Sequence, residues 1–425
     1  MAENELRQQI PGGWKSSNLG SLANYVNGYA FKPSDWEEEG LPIIRIEQLK
    51  DPKAECDYSK KTLPHQFRIQ QGDLVFSWSA SLFLAFWNRE AAYLNQHLFK
   101  VIERAGTNKC FLKYLIEAKL DQLIASTHGS TMQHITRPDL LGFSVIIPAR
   151  ETEQAKIAEI LSTSDEVIEK TEQRIGKLKH IRRGLMQTLF RYGIDENDHI
   201  RSEATHTFKD SPLGQIPEEW KSTSIEQITS HVGSGATPKG GESVYLDEGV
   251  KFVRSQNVTF EGLVLQDLAH IDEKTHAKMK RSEIYHRDVL LNITGASIGR
   301  CCVVPEDFGP ANVNQHVCAI RLKKPDRLLS LYLAYFLSSH KGQKQIELLN
   351  AGSNREGLNY QQIKSFTVPY PDEKERLMIA LVLLRIDGTI DKEKCYRRKL
   401  LAIKRGLMED LLSGKVRVTH LIKKN

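Results

Sequence analysis

Two short runs in this 425-residue chain carry residue types that acid–base chemistry would use. Asn95-Gln96-His97 and Asn314-Gln315-His316 each set a histidine, the side chain that titrates near neutral pH, beside two amides. A histidine acting as acid or base needs an orienting partner and a nucleophile at fixed spacing, and neither run supplies them. Asparagine and glutamine can pair bidentately with adenine in the major groove of DNA, so contact with a base edge is a second reading. The third is that the triplets tie the fold together. Their repetition favours it, because what two copies share is scaffold and what differs between them can discriminate.

The motifs of nucleotide, metal and cofactor chemistry are missing. There is no G-x-x-x-x-G-K-[ST] loop, no H-E-x-x-H and no G-x-G-x-x-G between a strand and a helix. The stretch from Gly233 to Gly241 is glycine-rich, but Pro238 interrupts any helix start. It reads as a flexible loop beside a substrate surface, or as an ordinary strand connection. Cys56, Cys110, Cys301, Cys302, Cys318 and Cys395 show no C-x-x-C spacing and read as reduced, mostly buried thiols, with no metal site. No cofactor is expected in this chain.

Hydrophobic residues at 40% and charged residues at 26% describe a folded globular protein and exclude wholesale disorder. A net charge of +6 suits a polyanionic partner without demanding one. The opening MAENELRQQIPGGWK has no basic-then-apolar leader, and no run of about 18 apolar residues occurs, so a cytoplasmic protein with no membrane partner is expected.

The elements that must position these residues are written twice. Gly13-Trp14-Lys15-Ser16 recurs as Glu219-Trp220-Lys221-Ser222, and Ile44-Arg45-Ile46-Glu47-Gln48-Leu49 as Val253-Arg254-Ser255-Gln256-Asn257-Val258. Gly129-Ser130 recurs as Gly352-Ser353, Pro148 as Pro371, and Arg182-Arg183-Gly184-Leu185-Met186 as Lys404-Arg405-Gly406-Leu407-Met408. The offset drifts from 206 residues at Trp14 and Trp220 to 223 at Pro148 and Pro371, as two diverged copies of one unit require.

Each copy ends in a heptad seam. Ile157, Leu161, Ser164, Ile168, Thr171, Ile175, Leu178, Leu185 and Leu189 alternate in steps of three and four, with Arg182 the misfit. Ile379, Leu383, Ile386, Ile390, Leu400, Leu407 and Leu411 repeat the pattern, interrupted by Glu393, Arg397 and Lys404. Helices of about 34 residues and about 50 Å follow, too long to stand alone, so they are expected to pair with each other. A pseudo-twofold between the copies makes the pair an antiparallel coiled coil. Gly184 and Gly406 are expected to permit close backbone approach, a helix break being the alternative.

The predicted fold class is α+β, with two globular α/β-mixed domains joined and spaced by the helix pair. The first globular domain spans residues 1–148, the first spacer helix 149–192, a polar connector 193–212, the second globular domain 213–371 and the second spacer helix 372–425.

Residues that differ between copies are the candidates for discrimination. In the first half they are Lys32, Glu47, Gln48, Ser77, Trp78, Ser79, Ser130, Thr131, Gln133 and His134. In the second they are Gln256, Asn257, Asn292, Thr294, Ser297, Asn354 and Arg355. The matched pair Arg45 and Arg254 is assigned to phosphates or internal carboxylates, because phosphate contacts position a protein without reading sequence.

Two tandem globular regions, each closing on Pro, acidic residues and Ile-Ala before a long helix that ends basic-basic-Gly-Leu-Met, resemble the specificity subunit of type I restriction-modification enzymes. The resemblance rests on Val145 to Pro148 with Glu153-Gln154 and Ile157-Ala158, and on Thr367 to Pro371 with Glu373, Glu375 and Ile379-Ala380. It implies that the loops carrying Ser234, Thr237, Lys239 and Ser353 face DNA. The first copy has Asn27-Gly28-Tyr29-Ala30-Phe31-Lys32-Pro33 in place of the glycine-serine-glycine form Gly233-Ser234-Gly235, so those loop roles are not carried across.

The resemblance further implies a non-catalytic subunit that reads a split, asymmetric site in double-stranded DNA. Its partners would be two methyltransferase subunits using S-adenosylmethionine and two restriction subunits using ATP and magnesium. The coiled coil would act as a ruler, so four helical residues inserted near residue 200 are expected to widen the gap between half-sites by roughly two base pairs. The alternative is a coiled-coil scaffold or adaptor whose globular ends bind proteins.

Overall fold

The computed structural model describes residues 10–51, 53–79, 81–126, 135–351 and 357–422. The chain divides into two compact units, Met1–Glu172 with Cys395–Asn425, and Gln173–Lys394. Each unit holds one globular region and a segment of both long helices, which run Glu151–Tyr192 and Glu373–Leu412.

In the first unit, Ala23–Asn27, Leu98–Glu103, Leu74–Ser77 and Phe83–Phe86 form an antiparallel sheet in that order. Tyr25, Leu74, Phe76, Phe99 and Val101 are buried from this sheet against the helix Lys109–Ser126, which contributes Phe111, Leu112, Leu115 and Ile116. Ile157, Ala158 and Leu161 of the first long helix join the same core, as do Leu411, Leu412 and Val418 from the far end of the chain. A second sheet orders Asp57–Ser59, Leu41–Ile44, Ala92–Leu94 and Arg68–Ile69, its central pair parallel. Trp14–Asn18 pairs with Ser144–Pro148, Trp14 facing Pro148, which explains why a tryptophan and a proline recur together.

The second unit repeats this plan. Thr229–Ser234, Val317–Leu322, Val289–Asn292 and Cys301–Val303 form the antiparallel sheet. Ala269–Ile271, Val250–Val253, Ala311–Val313 and Glu283–Ile284 form the mixed one, and Lys221–Ser224 pairs with Thr367–Tyr370. Two helices follow in the second unit, Arg327–Ser338 and His340–Ala351, broken at Ser339, whose hydroxyl accepts from the Gly342 amide. A side chain at 342 would strike the carbonyls of Phe336 and Leu337, so glycine is required where the helices meet.

Within each unit the helix segments run antiparallel. In the first, Asp165 pairs with Lys404 and Glu172 with Arg397 (2.6 Å): seven residues forward on one helix, seven back on the other. In the second, Arg174 pairs with Glu393 (3.2 Å) and Arg182 with Asp387, which also accepts from the Tyr335 hydroxyl at 2.8 Å. Every residue that interrupted the heptad pattern is therefore a cross-helix ion pair. Charges in a thin two-helix seam remain half-exposed and can pair across it at little desolvation cost.

A two-residue turn of the second unit also reaches the helices. Glu261 at its tip bonds Lys179 (2.8 Å) and Lys394, one cation from each. Lys179, and after it Lys394, hold this carboxyl down to about 2, so the clamp persists at neutral pH and is lost only as pH falls from 4.5 towards that value.

Gly184 and Gly406 correct an expectation. Both helices continue through them unbroken, and a Cβ at either would meet nothing within 4 Å, so they permit no close approach. Gly184→Ala and Gly406→Ala should each stabilise the chain by about 1 kcal/mol, the helix-propensity difference alone. A urea midpoint that rises in both variants with unchanged slope is the expected result; a fall would reveal an unseen contact.

The connector 193–212 is a fixed part of the second unit. Gly193, at φ +67°, turns the chain where any side chain would strike Glu375, Trp220 and Arg201. Ile194 and Arg201 are buried, and Phe208–Lys209 pairs with Ile216–Pro217. Residue 200 lies in a bridge to Ile194 and not in a helix, so an insertion there lengthens none. Among the described residues no helix is long and apolar enough to cross a membrane.

Candidate nucleic-acid interface

Antiparallel order gathers loops. In the second unit the C-terminal ends of Thr229–Ser234 and Val289–Asn292 and the N-terminal ends of Val317–Leu322 and Cys301–Val303 share one end of the sheet. The loops 235–240, 293–300 and 314–316 therefore meet there. The first unit brings together residues 28–33, the turn after Ser77, and residues 95–97 by the same rule.

Asn95 and Asn314, nearly buried, hold these ends. Each side-chain oxygen accepts the amide of the histidine two residues on, at 3.3 and 3.1 Å, and each backbone amide bonds the end of a neighbouring strand, at Ile44 and Val253. The scaffold reading therefore holds for the asparagines. The histidines link loops instead: Ser79 lies 3.4 Å from His97 Nδ1, and Thr294 lies 2.6 Å from His316 Nδ1. In the second unit the chain of bonds continues, because Gln315 accepts from the Thr237 hydroxyl and approaches His316 Nε2 at 3.1 Å. Thr237, Gln315, His316 and Thr294 thus form one polar row, with Gln315 exposed.

The two glycine loops prove equivalent despite their unlike sequences. A Cβ on Gly28 would lie 2.2 Å from the carbonyls of Leu94 and Asn95, and one on Gly235 would lie 1.7 Å from that of Val313. Gly28 bonds the Leu98 carbonyl and Gly235 that of Val317. Gly28 and Gly235 thus fill the same backbone position in the two units, where what matters is the missing side chain.

Several expected discriminators are interior. Gln48 is 1% exposed, accepts the Arg45 amide (3.0 Å) and donates to the Glu55 carbonyl (2.5 Å). Asn257, also 1% exposed, accepts the Arg254 amide (3.0 Å) and donates to the Val264 carbonyl (3.1 Å). The two differ in type but close the same turn, so they are scaffold. Ser77 is buried against the Ser79 carbonyl, and Asn292 donates to the Ser255 carbonyl (2.8 Å) and to Ser297 (3.1 Å). Arg45 meets Asp57 at 2.5 Å over Trp36, and Arg254 bonds the Asp267 carbonyl over Tyr245, both half-buried and each engaged within its own unit.

Lys32, Glu47, Lys239 and Gln256 are exposed, Trp78, Thr294 and Ser297 half-buried, and Ser234 bonds the Tyr360 hydroxyl at 2.5 Å. Ser130, Thr131, Gln133, His134, Ser353, Asn354 and Arg355 lie outside the described residues. The chain re-enters beside the gathered loops in both units, Ile135 bonding the Trp78 carbonyl and Leu358 that of Ile293.

Sequence reasoning passed over Gln315 as a discriminator and missed the basic turn 278–281. An open groove runs between Ser234, Gly235 and Ala236 on one wall and Ala277 to Ser282 on the other. The signal was the run Lys278-Met279-Lys280-Arg281, ordinary among the many charged runs of the chain. The six cysteines are free, and burial pushes Cys301 and Cys318 up to about 12, where no reactive thiolate forms at neutral pH. Among the described residues no cluster of His, Cys, Asp and Glu could hold a metal ion.

A family model for the type I restriction modification DNA specificity domain matches residues 11–180 and 217–401. The chain is 24% identical to the type I restriction enzyme MjaVIII specificity subunit of Methanocaldococcus jannaschii, across 97% of this chain and 95% of that protein. It is 25% identical to the type I restriction enzyme EcoBI specificity subunit of Escherichia coli, across 97% and 91%. The crystal structure of the S subunit of a type I restriction-modification system from M. genitalium superposes with a TM-score of 0.58 at 16% identity, covering 95% of this chain and 96% of that one.

Proposed function

We propose, from the premise that this chain belongs to the type I restriction-modification DNA specificity family, that it reads a split, asymmetric site in double-stranded DNA for an assembled restriction-modification complex. One observation carries the asymmetry. Two equivalent loop ends, held by matched asparagines and glycines, expose Lys32 and His97 in the first unit and Thr237, Lys239 and Gln315 in the second. A shared scaffold with unlike tips is what two unlike half-sites require.

Two methyltransferase subunits, using S-adenosylmethionine, and two restriction subunits, using ATP and magnesium, supply the chemistry, and this chain is their non-catalytic guide. The helices serve as spacer. Apolar side chains that they leave exposed, Tyr396, Leu401 and Ile403 in one unit and Ile181 and Leu381 in the other, suit docking of the methyltransferase subunits. The scaffold alternative has no observation in its favour.

Mapping adenine methylation in the source genome with the gene intact and deleted tests this reading. Loss of one split motif on deletion is expected, and an unchanged methylome would overturn it. Within the same assay, Gln315→Ala should relax or abolish one half of the motif only. A bidentate amide contact discriminates by about 1–3 kcal/mol, or roughly 10- to 100-fold. Asn314→Ala should instead lower the melting temperature, because it removes the support of the loop.

A further inference from the structure

The groove of the second unit has a wall that the first unit lacks. Lys278, at the end of the helix Glu273–Lys278, and Lys280 and Arg281, in the turn Lys280–Ser282, are all exposed beside Ser234, Gly235 and Ala236. Their backbone is held from below. Asn312, fully buried, donates to the Met279 carbonyl (3.0 Å) and to Ser282 (2.9 Å), and its oxygen lies 2.7 Å from His276 Nδ1.

Of the neighbouring carboxylates, Asp272 accepts the Thr275 amide (2.6 Å) and feels Lys278 only at longer range, and Glu283 accepts the Tyr285 hydroxyl (3.2 Å). Among the described residues none of the three cations forms an ion pair. Three cations outside any ion pair among the described residues, on a turn hydrogen-bonded from below and beside the row Thr237, Gln315, His316 and Thr294, make a cationic wall next to a hydrogen-bonding edge.

The corresponding turn of the first unit is His65–Phe67, which leads into Arg68–Ile69 as Lys280–Ser282 leads into Glu283–Ile284. His65 and Gln66 there replace Lys280 and Arg281. The lysines nearby are neutralised within the unit, Lys61 by Asp35 at 2.5 Å and Lys60 by Glu39 at 3.3 Å and Glu37 at 4.0 Å.

We propose that the two halves divide the work of binding unequally: Lys278, Lys280 and Arg281 of the second half grip the DNA backbone and supply a disproportionate share of its salt-dependent affinity. This rests on the DNA-reading function proposed above. Phosphate contacts release counterions, each steepening the fall of affinity with salt by about 0.9 in log–log slope.

The test titrates the full chain with a labelled mixed-sequence duplex over a range of sodium chloride. Lys278→Gln/Lys280→Gln/Arg281→Gln should flatten the slope by roughly 2 to 3, and the same variant in cells should methylate an unchanged motif. Lys60→Gln/Lys61→Gln should leave the slope as it is. A triple variant with wild-type slope, or an equal flattening in the Lys60/Lys61 variant, overturns the unequal division. A wild-type chain that binds no duplex, together with a methylome indifferent to deletion of the gene, overturns the DNA-reading function itself. Urea midpoints of both variants show whether any change comes from unfolding.

Discussion

Glu375→Ala is expected to cost about 3–5 kcal/mol, the largest loss from any single replacement considered for this chain, because it strips a buried arginine of its close counter-ion and leaves only the exposed Glu219 at 3.9 Å. The Glu375 carboxylate accepts from Arg201 at 2.6 and 3.1 Å, from the Ile194 amide at 2.8 Å and from the Trp220 indole at 3.0 Å. Carboxylate and guanidinium are under a tenth exposed. They close the second unit where the chain leaves the first long helix and where the second long helix begins.

Glu153 and Arg417 make the matching closure in the first unit, at 2.7 and 2.8 Å, but that arginine is 30% exposed. Water can take over its solvation, so Glu153→Ala should cost only about 1–3 kcal/mol. Urea midpoints and slopes of the two variants check the ordering. Equal losses in the two variants, or a loss below about 1 kcal/mol at Glu375, would show that burial does not set the strength of these closures.

Those closures also show where a sequence stops being legible. The duplication, the α+β class and the two seams could be read because repeats and heptads are local patterns. Arg201 could not, since its neighbours Asp195, Glu196, Asn197 and Asp198 mark the stretch as solvent-exposed linker, and only its partner 174 residues away buries it. The same holds for Arg417 and Glu153, 264 residues apart.

Gln48 and Asn257 were misassigned for a related reason. A polar side chain that differs between copies looks discriminating until its backbone partners are seen. The equivalence of Gly28 and Gly235 is hidden in the sequence because close approach selects for one absent atom and leaves the flanking residues free. The cross-helix ion pairs of Arg182, Glu393, Arg397 and Lys404 were visible only as defects in a pattern.

Inserting seven helical residues into both long helices, after Glu172 in the first and before Arg397 in the second, is expected to shift the methylated motif to a gap wider by roughly three base pairs. A heptad advances a helix by about 10.5 Å and returns its faces to within about 20° of their starting direction, and duplex DNA rises about 3.4 Å per base pair. The ion pairs Asp165–Lys404 and Glu172–Arg397, seven residues apart on each strand, show that a heptad step preserves the facing of this pair.

Insertion into one helix alone would lengthen only one of the two helical segments that join the globular regions, and methylation should then be lost. Insertion near residue 200 should do neither, because the first long helix ends at Tyr192 and Arg201 is pinned beyond it. Methylation mapping of the three variants separates these outcomes. A doubly extended chain that still methylates the original gap would sink the spacer role, since paired helices of fixed register leave no other way to absorb the added length.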